Sequence, residues 1–240
     1  MHVDDTAPIL ACEIVDYLDL SAQLVSQSEL NQRHHALAFT TGLEIDPFTS
    51  AIVQVSHARA LTAKQYIQIM DCMSGLHRLV LLLLLDTGVR VSQLASIPPQ
   101  GYLKASEHRK WSPKMHLGRP NTEVRNLQGK GGLISPVAIS EALILHLESL
   151  RLDKAETFYD RSIPCERHYA LPSGQAISQA FSEASVKALG FSVGAHSTRH
   201  FFVQTRMQAL VKLGLTVREA LRVVSQEVGH FRESITYAYF

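Results

Sequence analysis

The stretch His77–Leu85, reading HRLVLLLLL, leaves this chain the least freedom. It is apolar on almost every side over more than two helical turns, which predicts a helix sitting in a core. Leu79–Leu85 is far too short to cross a bilayer, where about 20 apolar residues are needed. The helix should stop at Asp86-Thr87-Gly88, with Gly88 supplying a left-handed cap. Upstream, Thr62 is a good N-cap for a helix whose Tyr66, Ile67, Met70 and Met73 recur at helical spacing. Downstream, a helix from about Val91 to Ala95 is stopped by Pro98-Pro99. With 46% hydrophobic and 19% charged residues, a 240-residue chain can bury a core of ordinary size around this centre.

The pattern changes over 100–140, where Gly, Pro and charged residues alternate with short apolar pieces. Leu133–Ile139 reads as a strand, and a small antiparallel sheet with long loops is expected there. Helices are predicted again at Glu141–Leu150, Ile177–Leu189, Thr198–Leu213 and Val217–Val224. The fold class is therefore mainly α with a small antiparallel β-sheet. Residues 1–56 stand apart as an acidic, mostly helical segment. It has one helix from Ile14 to about Leu30 and a turn at Asp46-Pro47 that should separate two helical pieces. Residues 57–240 form the main domain.

The net charge of +1 hides an uneven distribution. Residues 1–56 hold eight acidic side chains and one basic, Arg33, whereas the remainder carries a net +8. Seven Lys and Arg fall within 101–130: Lys104, Arg109, Lys110, Lys114, Arg119, Arg125 and Lys130. A basic body behind an acidic arm is compatible with a polyanionic partner, and a solvated surface is the plainer alternative. The three cysteines, Cys12, Cys72 and Cys165, lie far apart without a C-x-x-C, which fits a reducing, cytoplasmic setting. No basic segment followed by an apolar run opens the chain, so no signal peptide is expected.

Residues suited to chemistry gather late in the chain. His196 and Arg199 are three apart at a helix start and share one face. Gly229-His230 comes later, and Tyr239 lies nine residues beyond His230. A tyrosine beside cationic donors suggests a nucleophile directed at an anionic centre, most plausibly a phosphodiester. Arg90 stands after a glycine-containing turn at a helix start, where its planar fork can meet a phosphate, or simply bridge a carboxylate. Lys130 sits in Gly129-Lys130-Gly131-Gly132, a flexible turn without the spacing of a Walker A loop. His200 is four residues from His196, but no HExxH glutamate or third ligand accompanies the pair. No metal is expected, and His200 should pack beneath the site.

The segments DTGVRVSQL, GKGG, HSTRH and GHFRESITYAY, in that order, resemble the successive motifs of the tyrosine recombinases, the phage-integrase family. The resemblance covers about residues 61–240. It implies a domain that breaks and rejoins DNA through a 3′-phosphotyrosyl intermediate. Arg90 and Arg199 would grip the scissile phosphate, and His196 would bond a non-bridging oxygen or assist proton transfer. Lys130 would protonate the departing 5′ oxygen, and His230 would help stabilise the phosphorane. Tyr239 would attack; Tyr237 is the rival, but the family spacing falls on Tyr239. A phenol of pKa near ~10 needs a base or a cationic field to react at neutral pH. Two arginines and a lysine supply that field, so neither metal nor cofactor is required. The implied partner is double-stranded DNA, with self-association into a tetrameric synapse and a possible protein partner for the acidic segment. The chain would work in the cytoplasm, on the nucleoid when bound. A type IB topoisomerase-like enzyme and a catalytically unproductive DNA-binding relative are the alternatives. Gln93 stands where the family usually has an acidic residue, and Thr198 where it often has leucine; both lie outside the chemistry that the resemblance implies.

Overall fold

The computed structural model describes residues 11–52, 59–160, 163–231 and 236–240. The chain divides into two compact units between Ser56 and His57. In the first, α1 (Ala11–Leu24) and α2 (Gln27–Thr41) enclose Ile14, Leu18, Ala22 and Leu30. The single helix expected from Ile14 to Leu30 is thus broken. Ser26 is extended and accepts from the Glu29 amide, starting a new helix with its own cap. Among the described residues of this unit no helix comes after Asp46-Pro47. Gly42, in the left-handed region, ends α2, and the extended chain beyond it is tied back to the helices. There Gln27 donates to the Phe48 carbonyl and the Ser50 hydroxyl to that of Val25.

The second unit contains α3 (Ala63–Asp71), α4 (Gly75–Thr87), α5 (Val91–Ala95), β1 (Thr122–Gln128), β2 (Ile134–Ser140) and α6 (Glu141–Glu148). After these come β3 (Arg151–Asp160), β4 (Ile163–Tyr169), α7 (Gly174–Leu189), α8 (Ser197–Lys212) and α9 (Val217–Glu227). Short 3-10 turns lie at Lys130–Gly132 and Tyr237–Tyr239. The strands form two separate antiparallel hairpins, β1–β2 and β3–β4. The architecture is mainly α with small antiparallel sheets, as expected. The second hairpin has no clear sequence signal: RLDKAETFYD is too charged and too weakly alternating to read as a strand. It is fastened where Tyr169, at its base, shares a buried cluster with Arg125 and Glu148.

α4 is the hub, packed against α5, α6, α7, α8 and β2. Val80, Leu83 and Leu84 join Leu127, Val137, Ile139, Leu147 and Ile177 in one core, while Leu81 reaches a second with Tyr66, Ile69 and Phe181. The helix is not enclosed all round, as its composition suggests. Leu82 is 39% exposed, and with Leu76, Leu79, Leu143 and Leu150 it lines an open groove of about 390 Å³. A third core joins α8 and α9 through Phe202, Val203, Leu210, Leu221 and Val224, and Tyr239 is part of it.

Two contacts at the end of α4 fix β2 and α8 against it. Asp86 accepts from the Ser140 amide at 2.9 Å and hydroxyl at 2.8 Å, and pairs with Arg119 at 2.8 Å, joining α4 to the end of β2. Gly88 adopts φ +63°, and a Cβ there would lie 2.2 Å from the Phe202 ring, so only glycine lets α8 come this close.

The positive charge of 101–130 is partly neutralised inside the fold. Arg125 is fully buried between Glu123 and Glu148, Arg119 pairs with Asp86, and Lys114 pairs with Glu219. Counting cations along the sequence therefore overstates the basic surface this segment offers. Burying an arginine requires that its donors be met, and Arg125 meets its partners through all three nitrogens.

Candidate active site

Four of the residues singled out in the sequence are hydrogen-bonded to one another. Arg199, on the first turn of α8, is 1% exposed and projects into the interior. Its Nε donates to the Tyr239 hydroxyl at 2.9 Å and its Nη1 to the Gly88 carbonyl at 2.6 Å. Nη2 donates to the Val228 carbonyl and approaches His230 Nε2 at 3.2 Å. Arg90, the extended N-cap of α5, reaches the same His230 nitrogen at 3.0 Å. Both guanidinium groups can only donate, so His230 Nε2 accepts and its ring proton resides on Nδ1.

Tyr239 is 6% exposed and ringed by imidazoles. Its ring centroid lies 4.7 Å from His200 and 6.0 Å from both His196 and His230. Tyr237 is 60% exposed and makes none of these contacts. The backbone of the short turn is held by Gln204, whose amide donates to the Tyr239 carbonyl at 2.8 Å. His200 is buried against Tyr239 and His196, in the packed position expected of it. Among the described residues no group of three or more His, Cys, Asp and Glu could hold a metal ion.

Lys130 lies on the β1–β2 turn; its side chain is outside the described set. Gly131 and Gly132 both take φ +78°, the left-handed freedom expected of glycines in this turn. The turn sits beside α5, because a Cβ at Gly129 would lie 3.2 Å from Gln93 Nε2.

Gln93 has a structural part that its place in the motif does not disclose. It is buried, its Oε1 accepts from the Arg90 amide at 3.1 Å, and its amide reaches the Gln128 carbonyl at 3.5 Å. One side chain thus fixes Arg90 against the end of β1. Gln93→Ala should lower stability by about 1 kcal/mol, the net worth of one such hydrogen bond, in a urea melt. Wild-type stability would remove this role. Ser225 gives no sequence signal either: its hydroxyl donates to the His230 carbonyl at 2.7 Å, and its carbonyl accepts from the His230 amide at 2.7 Å.

The field here is strongly cationic. Desolvation, followed by Arg199 and Arg90, pushes the His230 pKa down to about 4. His196 also falls to about 4, through desolvation first and then Arg199, His200 and Arg90. Burial lowers even Arg199, to about 10, so it stays charged at neutral pH. A depressed histidine pKa means that the unfolded chain binds the extra proton first. Stability from His230 is therefore complete above about pH 6.5 and is lost as pH falls from there towards about 4. Urea midpoints measured across that window should decline on acidification. A flat profile would mean that His230 is not buried among cations.

No protein-family model and no curated protein matches this sequence. Solved structures do match. XerH site-specific recombinase, bound to its difH substrate in a pre-cleavage complex, aligns with TM-score 0.58 and 14% identity, over 97% of this chain and 67% of that one. A lambda integrase(75-356) dimer bound to a COC′ core site gives 0.56 and 17%, over 97% and 81%. A lambda integrase tetramer bound to a Holliday junction gives 0.52 and 18%, over 96% and 64%. The chain spans about two thirds of the length of XerH and of the lambda integrase in that tetramer. At identities of 14–18% the likeness is one of fold, and the fold of this chain is that of the tyrosine recombinases.

Proposed function

We propose that this protein is a site-specific DNA strand transferase, a recombinase or integrase that cuts and rejoins DNA through Tyr239. The observation that carries the reading is the hydrogen bond from the buried Arg199 to the Tyr239 hydroxyl, inside a cluster that also holds Arg90, His196 and His230. A guanidinium at that oxygen stabilises the phenolate that must form. Tyr239 Oη attacks the scissile phosphorus, the bond to the 5′ oxygen breaks, and a 3′-phosphotyrosyl ester forms. The phenolic proton leaves as the phenolate forms against Arg199, and His196, neutral at physiological pH, bonds a non-bridging oxygen or assists that transfer. Lys130 delivers a proton to the departing 5′ oxygen. Arg90 and Arg199 carry the charge that builds on the equatorial oxygens, and His230 keeps the two arginines in register. The ester conserves the energy of the broken bond, so reversal rejoins the strand without a nucleotide. Self-association on DNA, into a synapse of four protomers, belongs to the same proposal.

The test is a nicked duplex that traps the covalent intermediate. Wild-type protein should give a denaturation-resistant adduct in the presence of EDTA. A second reading, a regulatory DNA binder of the same fold, is favoured by the acidity of residues 1–56. Tight, salt-sensitive binding to the cognate site with no adduct would select it.

A further inference from the structure

The connection between α5 and β1 contains a strap, residues 106–117, without regular secondary structure, that runs from the lysine turn to the segment bearing His230. At one end Ser106 is fastened to β2 just past the turn. Its amide donates to the Ile134 carbonyl at 3.0 Å, and its hydroxyl accepts from the Ile134 amide at 3.0 Å. At the other end the strap lies across the C-terminus of α9. The Ser112 amide donates to Gln226 Oε1 at 2.7 Å and the His116 amide to Glu227 Oε1 at 2.8 Å. Glu227 is buried and pairs with Arg206 at 2.7 and 2.9 Å, and Arg206 also donates to the Leu117 carbonyl. Arg206 lies seven residues from Arg199, on the same face of α8.

Between these anchors two side chains close on Phe231, the neighbour of His230. The Trp111 ring stands edge-on at 5.0 Å, its indole NH held by the Ser106 carbonyl at 3.2 Å, and the Arg109 guanidinium lies 4.9 Å from the Phe231 centroid. Such contacts are directional and orient the ring they hold. His230 is thus gripped twice. Ser225 holds its backbone from α9, and the strap holds its neighbour from outside.

We propose that the 106–117 strap is a positioning element that sets His230 in register with the lysine turn, and that Trp111, acting through Phe231, is its principal positioning residue. The proposal rests on the strand-transfer reading for its effect on rate, but not for its effect on His230. A side chain that keeps a reacting constellation aligned governs the chemical step and leaves DNA affinity alone, whereas a surface contact to DNA does the reverse.

The experiment compares Trp111→Ala and Trp111→Phe in the full chain with wild type. Single-turnover cleavage of the nicked duplex at saturating DNA should fall about 10²-fold in Trp111→Ala, as a displacement of about 1 Å does elsewhere. The dissociation constant should stay unchanged, and Trp111→Phe, which keeps an aromatic edge, should recover most of the rate. In parallel, the imidazole nitrogen spectrum of His230 is recorded against pH. Its titration should move up towards the ordinary histidine range in Trp111→Ala and stay low in Trp111→Phe. Should Trp111→Ala fail to fold, Phe231→Leu removes the same ring contact from the other side, and the emission of Trp111, the only tryptophan in the chain, reports the loss. Wild-type cleavage and an unmoved His230 titration in a folded variant overturn the proposal. If wild type itself forms no adduct, the strand-transfer reading fails, and the His230 titration alone decides whether the strap positions it.

Discussion

Tyr239→Phe is expected to abolish the covalent protein–DNA adduct while leaving binding to the cognate duplex intact. The substitution removes one oxygen, the one that receives the Arg199 hydrogen bond, and preserves a ring buried among Phe202, Val203 and Leu221. Loss of a covalent nucleophile costs on the order of 10⁶-fold in a well-assembled site, which lies below detection in a trapping assay. Stability should fall by about 1–3 kcal/mol, because the buried Arg199 Nε loses its acceptor while Gly88 and Val228 still hold the other two nitrogens. Denaturing gel electrophoresis with the nicked duplex is the measurement. An adduct that persists in Tyr239→Phe would transfer the nucleophile elsewhere, and Tyr237, exposed two residues earlier, would be the first to examine. Tyr237→Phe should cleave as wild type does.

Arg199→Lys should be less damaging to cleavage than Tyr239→Phe and much more damaging to the fold. The guanidinium serves four partners at once: the Tyr239 hydroxyl, two backbone carbonyls and His230. An ammonium on a flexible stem is a point charge and cannot reproduce that fork. A buried carbonyl left without a donor costs about 1–3 kcal/mol. The carbonyls of Gly88 and Val228 join the end of α4 to the end of α9, so the loss is felt across the unit. Removal of one preorganised donor from a developing oxyanion lowers rate by about 10²–10³-fold. Urea unfolding and single-turnover cleavage should therefore both respond. An Arg199→Lys protein that loses stability yet cleaves at the wild-type rate would show that this arginine is architectural only, and one that is also stable would remove both roles.

Much of the fold is legible because it depends on neighbours in sequence. The core helix around Leu79–Leu85, its stop at Gly88, the strand ending near Ile139 and the helices of the C-terminal third arise from periodicity, caps and left-handed glycines. Legibility fails where local signals are weak or in conflict. Ser26, with Glu29 three residues on, starts a helix inside what hydrophobic spacing alone presents as one. The β3–β4 hairpin takes its stability from pairing and from Tyr169, Arg125 and Glu148, not from alternation. The charge on 101–130 is visible, but the engagement of Arg119, Arg125 and Lys114 with carboxylates is not.

The candidate site divides in the same way. Which residue types the chain offers, and their order, are properties of the sequence: Arg90, Lys130, His196, Arg199, His230 and Tyr239 can be selected from it, and Tyr239 preferred to Tyr237. Which donor meets which acceptor is decided only by the tertiary structure. Arg90 and His230 are 140 residues apart, and Arg199 and Gly88 are 111 apart. Such meetings depend on how α4, α5, α8 and α9 pack, and no local propensity encodes that packing. The same holds for Gln93 and the strap, whose side chains are ordinary in sequence. They acquire a role because close packing leaves Gln93 one place to donate, and leaves Trp111 against one ring, Phe231, beside His230.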